Sequence, residues 1–124
     1  MALRSYQELV AWKKSMALVS DTYRCTQGLP KEEIYGLTSQ IRRAAVSVPS
    51  NIAEGQGRLT RVEFKQFLGH ARGSVFELET QVSIARDLGF LDERATKNLL
   101  ERIREVGCIL SGMLTSLEVV RTSY

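Results

Sequence analysis

Residues Tyr35–Arg58 read YGLTSQIRRAAVSVPSNIAEGQGR. From Leu37 onward, Leu37, Ile41, Ala44, Ala45, Val48 and Ile52 recur at spacings of three and four, the period of a helix with one buried face. Arg42 and Arg43 fall beside that stripe. Pro49 lies well inside the helical pattern. An interior proline removes a backbone donor and clashes with the carbonyl four residues back, at a cost of about 3 kcal/mol. A chain that keeps it either ends a helix there or uses the bend. A polar block follows: Ser50, Asn51, Glu54, Gln56 and Arg58. Gly55 and Gly57 are expected to end the helix, Gly55 through the left-handed conformation common at helix ends.

Three more helical patterns flank this one. Upstream, Ser5-x-x-Glu8 reads as a capping box that starts a helix at Ser5. Leu9, Trp12, Met16, Val19 and Tyr23 would form its core stripe, and Gly28 with Leu29-Pro30 would stop it. Lys31 to Ile34 has room for one short turn. Downstream, Thr60-x-x-Glu63 is a second capping box. Phe64, Phe67, Leu68, Ala71, Val75, Leu78, Val82 and Ala85 line one side of the helix it opens, while Lys65, Arg72, Glu79 and Arg86 recur every seven residues on another. Gly89 is its C-cap glycine. Asp92 is a good N-cap for a fourth helix, which runs through Leu99, Ile103, Val106, Leu110, Leu114, Leu117 and Val120.

No segment alternates with period two, and short loops join long helices. The predicted fold is therefore all-α: one domain over residues 1–124, an up-down-up-down antiparallel four-helix bundle. Leu100, Cys108, Met113 and Val119 lie off the fourth helix's main stripe, and Val10, Ala17 and Leu18 off the first. That surplus points to a subunit interface. Gly69 and Gly73 on the third helix, with Gly107 and Ser111 on the fourth, would let backbones approach closely.

The chain has 124 residues and a net charge of +3. Residues 36–73 hold six positive side chains (Arg42, Arg43, Arg58, Arg61, Lys65 and Arg72) against two negative ones (Glu54 and Glu63); the remainder holds eleven against twelve. The basic excess thus sits on the middle hairpin, where it can attract nucleic acid or an acidic partner. Aromatic interleaving is poor, which disfavours base stacking. No run of about 18 apolar residues exists for a membrane span, and the N-terminus lacks the apolar core of a signal peptide. Two cysteines far apart suit a reducing cytoplasm.

Little in the chain speaks of catalysis. His70 is the single histidine and has no fixed acidic partner in sequence. Cys25 and Cys108 sit in apolar segments and read as inert core thiols. One histidine and two scattered cysteines do not make a zinc site, so no metal or cofactor is expected. Gly55-Gln56-Gly57-Arg58 lacks the lysine, hydroxyl and preceding strand of a phosphate loop. Asn51 and Glu54, a turn apart just past the proline, admit two readings. They knit the bend to the following loop, or they form a polar site for a ligand or a nucleic-acid base.

The runs SYQELVAWKKSMALV, LPKEEIYGLTSQIRRAAVSVPSNIAEGQGR and EFKQFLGHARGSVFELETQ closely resemble the bacterial four-helix bundle proteins encoded in intervening sequences of 23S rRNA genes. The aromatic-Gly-Leu-Thr-Ser-Gln-x-Arg-Arg-Ala and Pro-Ser-Asn-Ile-Ala-Glu-Gly runs carry the likeness. The resemblance implies a bundle that assembles into a ring-like homopentamer. It also implies kinship with accessory proteins of diversity-generating retroelements, which are basic pentamers that bind nucleic acid and a reverse transcriptase. The expectation is a non-enzymatic oligomer that binds structured RNA or DNA through Arg42, Arg43, Arg58, Arg61, Lys65 and Arg72. The alternative is a scaffold for an acidic protein partner.

Overall fold

The computed structural model describes residues 5–118 in full and the helical backbone on to residue 122. Four long helices carry the fold: α1 (Val10–Thr26), α2 (Leu37–Gln56), α3 (Arg61–Asp87) and α4 (Glu93–Thr122). Single 3-10 turns at Tyr6–Glu8 and Lys31–Glu33 precede α1 and α2. Each helix packs on its neighbours in sequence, and α1 closes the ring against α4. This is the up-down-up-down bundle that short loops between long amphipathic helices dictate.

Both ends of α3 follow their sequence signals. The Thr60 hydroxyl accepts the Glu63 amide at 3.2 Å and donates to the Glu63 carboxylate at 3.0 Å. At the far end Gly89 has φ +78°, the Gly89 amide reaches the Arg86 carbonyl, and the Phe90 amide reaches that of Ala85. That pair of bonds is a Schellman closure, and its left-handed residue favours glycine. Asp92 caps α4, accepting the Ala95 amide at 2.7 Å.

The start of α1 differs from expectation. Ser5 accepts from Gln7, not Glu8, and caps only the 3-10 turn. Leu9 then adopts an extended conformation and α1 begins at Val10. Its buried column is also one position away from the predicted one: Ala11, Ser15, Leu18, Thr22 and Thr26. The hydroxyls explain the shift. Ser15 donates to the Trp12 carbonyl, Thr22 to that of Leu18, and Thr26 to that of Thr22, at 2.7–2.9 Å. A hydroxyl satisfied by its own helix can be buried without an orphaned polar group. Ser15, Thr22 and Thr26 therefore face the core beside Ala11 and Leu18. Leu9, Trp12 and Val19 flank it, and Met16 and Tyr23 are left 43% and 40% exposed.

The stripes of the other helices are buried as read: Ile41, Ala44, Ala45, Val48 and Ile52 on α2, Leu68 through Ala85 on α3, and Leu99 through Leu114 on α4. Leu100 is buried as well, while Cys108 is exposed and so is not a core thiol. Val119 and Val120 lie outside the described side chains. α2 runs unbroken through Pro49 and past Gly55, which lies within the helix at negative φ. Gly55 is needed for space instead: a Cβ there would stand 2.7 Å from Phe67 Cβ. Of the four small residues expected at close approaches, Gly107 faces Val75 across α3 and α4, whereas Gly69 and Gly73 have open space beside them.

Candidate nucleic-acid interface

The six predicted cations all lie on the α2–α3 hairpin, but they do not form one face. Arg42 and Arg43 lie toward the end of the bundle where α1 passes to α2. Arg58, Arg61 and Lys65 lie at the opposite end, around the α2–α3 turn. From Arg43 to the end of α2 at Gln56 the helix rises about 20 Å, and Arg58 lies in the loop beyond it.

Their surroundings differ as much as their positions. Arg42 Nε donates to Thr26 Oγ1 at 2.9 Å, and an Nη group donates to the Tyr23 carbonyl at 3.5 Å. Its guanidinium lies 4.6 Å from the Tyr23 ring centroid. A cation beside the last carbonyls of α1 is a helix fastening, so Arg42 holds α1 to α2. Arg43, one step round the helix, is exposed. Arg58 pairs with Glu54 at 3.1 Å and covers the Phe67 ring. Lys65 pairs with Glu118 at 2.9 Å. Arg43, Arg61 and Arg72 make no ion pair among the described residues. Arg61 also sits in the first turn of α3, where the helix dipole disfavours a cation. Its charge therefore does nothing for the fold.

Asn51 and Glu54 turn to different partners. Asn51 Nδ2 donates to the Ser47 carbonyl at 2.8 Å and to Ser47 Oγ at 2.9 Å. The Ser47 hydroxyl lies 2.8 Å from that of Ser74 on α3. Ser50 donates to the Val46 carbonyl. These bonds bind the polar block to the turn before Pro49 and to α3, while Glu54 reaches the loop through Arg58.

A second group of cations escaped the segment-by-segment charge count. Arg86 on α3 and Arg94, Lys97 and Arg104 on α4 line a cleft of about 680 Å³ with Leu100 and Thr96 among its lining residues. Acidic residues interleaved along α4 cancel these charges in sequence. The seven-residue recurrence on α3 was the signal that could have found them, because it marks the column that faces α4.

Other chemistry is sparse. His70 is exposed and packs edge-on against Phe67, with ring centroids 5.7 Å apart. Burial pushes the Cys25 thiol pKa up, and the neighbouring Asp21 adds to it, the opposite of an activated nucleophile. Among the described residues no three His, Cys, Asp or Glu side chains come together as metal ligands, and no helix is long and apolar enough to cross a membrane.

On the face opposite the cationic cleft, α1 and α2 leave an apolar groove. Tyr6, Trp12, Met16, Val19, Val46 and Pro49 line a hollow of about 300 Å³ there. Tyr6 packs edge-on against Trp12 at 5.3 Å.

Comparison with known proteins gives three findings. The family model described as 23S rRNA-intervening sequence protein matches residues 7–112. A crystal structure from Bacteroides thetaiotaomicron VPI-5482, described as a protein with unknown function from the S23 ribosomal protein family, superposes with a TM-score of 0.79. It is 18% identical and the match covers 85% of this chain and 98% of that one, a likeness of fold. No curated protein matches the chain.

Proposed function

The chain belongs to the 23S rRNA-intervening sequence protein family, and from that premise we propose that it is a non-enzymatic, oligomeric bundle that binds structured RNA or DNA through phosphates. The observation that carries the reading is the set of uncommitted arginines on the α2–α3 hairpin. Arg43, Arg61 and Arg72 have no anionic partner among the described residues. The Arg58–Glu54 pair is exposed on both sides and exchanges readily for a phosphate. Arg42 is the fastening of α1, so its part in binding is secondary.

Oligomerisation through the apolar α1–α2 groove completes the proposal, with a homopentameric ring as the assembly the family resemblance implies. Repeating a weak basic patch around a ring multiplies its avidity. The same groove favours a second reading, a scaffold for another protein, because an apolar surface suits a protein partner better than a polyanion.

The test is binding of labelled structured RNA and duplex DNA between about 50 and 300 mM salt, where each neutralised phosphate contributes about 0.9 to the slope of log K against log salt. The triple variant Arg43→Ala/Arg61→Ala/Arg72→Ala is expected to weaken binding to all sequences alike and to flatten that slope by about 2 to 3. No binding at the lowest salt, with the oligomer intact, rejects the nucleic-acid reading and leaves the scaffold.

A further inference from the structure

Along the α3–α4 seam the charged residues meet in register. Lys65 faces Glu118 at 2.9 Å, and Glu79 faces Arg104 at 2.9 Å. Both helices advance by the same number of residues between these two rungs, because they are antiparallel with matched rise. The next rung, seven residues further on each helix, sets Arg86 opposite Lys97. Two rungs of the seam match opposite signs, whereas this one brings two cations to the same cleft. Like charges across a helix interface are unfavourable unless an anion lies between them. At that rung the seam opens into the cleft of about 680 Å³, with Arg94 and Arg104 also on its walls.

The donors there are largely uncommitted. Arg94 and Lys97 make no ion pair among the described residues. Arg86 uses its Nε on the adjacent Asp87 at 3.1 Å, and Arg104 uses its Nε on Glu79. The remaining nitrogens of both guanidinium groups make no hydrogen bond among the described residues. Two carboxylates, Glu93 and Glu101, share the lining and are likewise unpaired among the described residues. Asp87 and Glu79, outside the lining, balance Arg86 and Arg104, so what the cleft offers an anion is its set of free guanidinium and ammonium donors rather than a net charge. The forked guanidinium geometry matches tetrahedral oxyanions.

We propose that this cleft binds phosphate groups, held by Arg86, Arg94, Lys97 and Arg104; the inference rests on the nucleic-acid reading only for the source of the phosphate. The site lies at the end of α3 far from Arg58 and Arg61, so a nucleic-acid strand bound at both would run along α3. A free phosphate compound would use the same donors.

Thermal melting at constant ionic strength, with and without inorganic pyrophosphate, tests the cleft directly. The unmodified protein is expected to melt higher as pyrophosphate is added, saturably, because a ligand that binds only the folded state stabilises it. Lys97→Glu gives Arg86 an opposite charge but sets a third carboxylate one turn from Glu93 and Glu101 on α4, so it should still fold and lose the shift. Lys97→Arg should keep the shift. Equal shifts in the unmodified protein and Lys97→Glu, or no shift in either, overturn the proposal. RNA binding by the same variants separates the sources. A salt slope flatter by about 0.9 per lost contact in Lys97→Glu identifies strand phosphates, and an unchanged slope identifies a free phosphate compound. A pyrophosphate shift without RNA binding rejects the nucleic-acid reading alone. RNA binding without the shift rejects the cleft alone.

Discussion

Gly55 shows how one atom governs the packing of two helices. It is buried in the last turn of α2, and a Cβ there would stand 2.7 Å from Phe67 Cβ and 3.3 Å from Phe64 Cδ1. The Phe64 ring can turn aside, but Phe67 Cβ is attached to the backbone and cannot move without it. Gly55→Ala is therefore expected to destabilise the fold by about 1 to 3 kcal/mol, the range for overpacking, seen as a lower midpoint in urea unfolding with unchanged m. The sequence signalled that Gly55 matters, but for the wrong reason: a glycine in a helix can supply freedom of φ or absence of volume, and only the neighbouring helix reveals which. Arg42 carries the same lesson. Beside Arg43 in sequence it reads as half of a basic pair, yet its hydrogen bonds to Thr26 and Tyr23 make it part of the bundle.

At the scale of elements, the ends of α3 are determined locally and α1 is not. Thr60 and Gly89 act through bonds within a few residues. Thr60→Ala is expected to cost about 1 kcal/mol by loss of the cap, and Gly89→Ala a similar amount because a Cβ strains the left-handed φ. Since the sites lie at opposite ends of α3, their effects should add within about 0.5 kcal/mol in the double variant. Thermal or urea unfolding checks both statements, and a strongly non-additive double would show that the α3 ends communicate. For α1 the hydrophobic pattern misleads by one residue. The pattern ranks side chains by apolar size, whereas the bundle buries Ala11 and Leu18 together with Ser15, Thr22 and Thr26, whose hydroxyls bond to their own helix.

At the scale of the whole molecule, the bundle presents two unlike faces. The α3–α4 seam is charged and carries the cationic cleft. The α1–α2 face exposes Met16, Tyr23 and Val46, each 40% or more open. The displaced stripe of α1 is the physical source of that apolar face: residues read as core point into a groove instead. If this face is the subunit interface, Met16→Asp/Val46→Asp should convert the assembly to monomers with helicity retained. Light scattering with circular dichroism measures both, and an unchanged mass would place the interface elsewhere. The cationic cleft was half visible in advance. The heptad of α3 is written in the sequence, but its partner column on α4 is hidden by interleaved glutamates until the antiparallel register aligns the two.

The amino-acid sequence by itself determined the four helices, their antiparallel order, both ends of α3 and the start of α4. These depend on periodicity, caps and loop length, which act over a few residues. Only the tertiary structure decided which face of α1 is buried, why Gly55 is a glycine, which arginines are spent on the fold, and where cation meets cation. Those outcomes depend on what stands across a helix interface, and residues that meet there lie far apart along the chain.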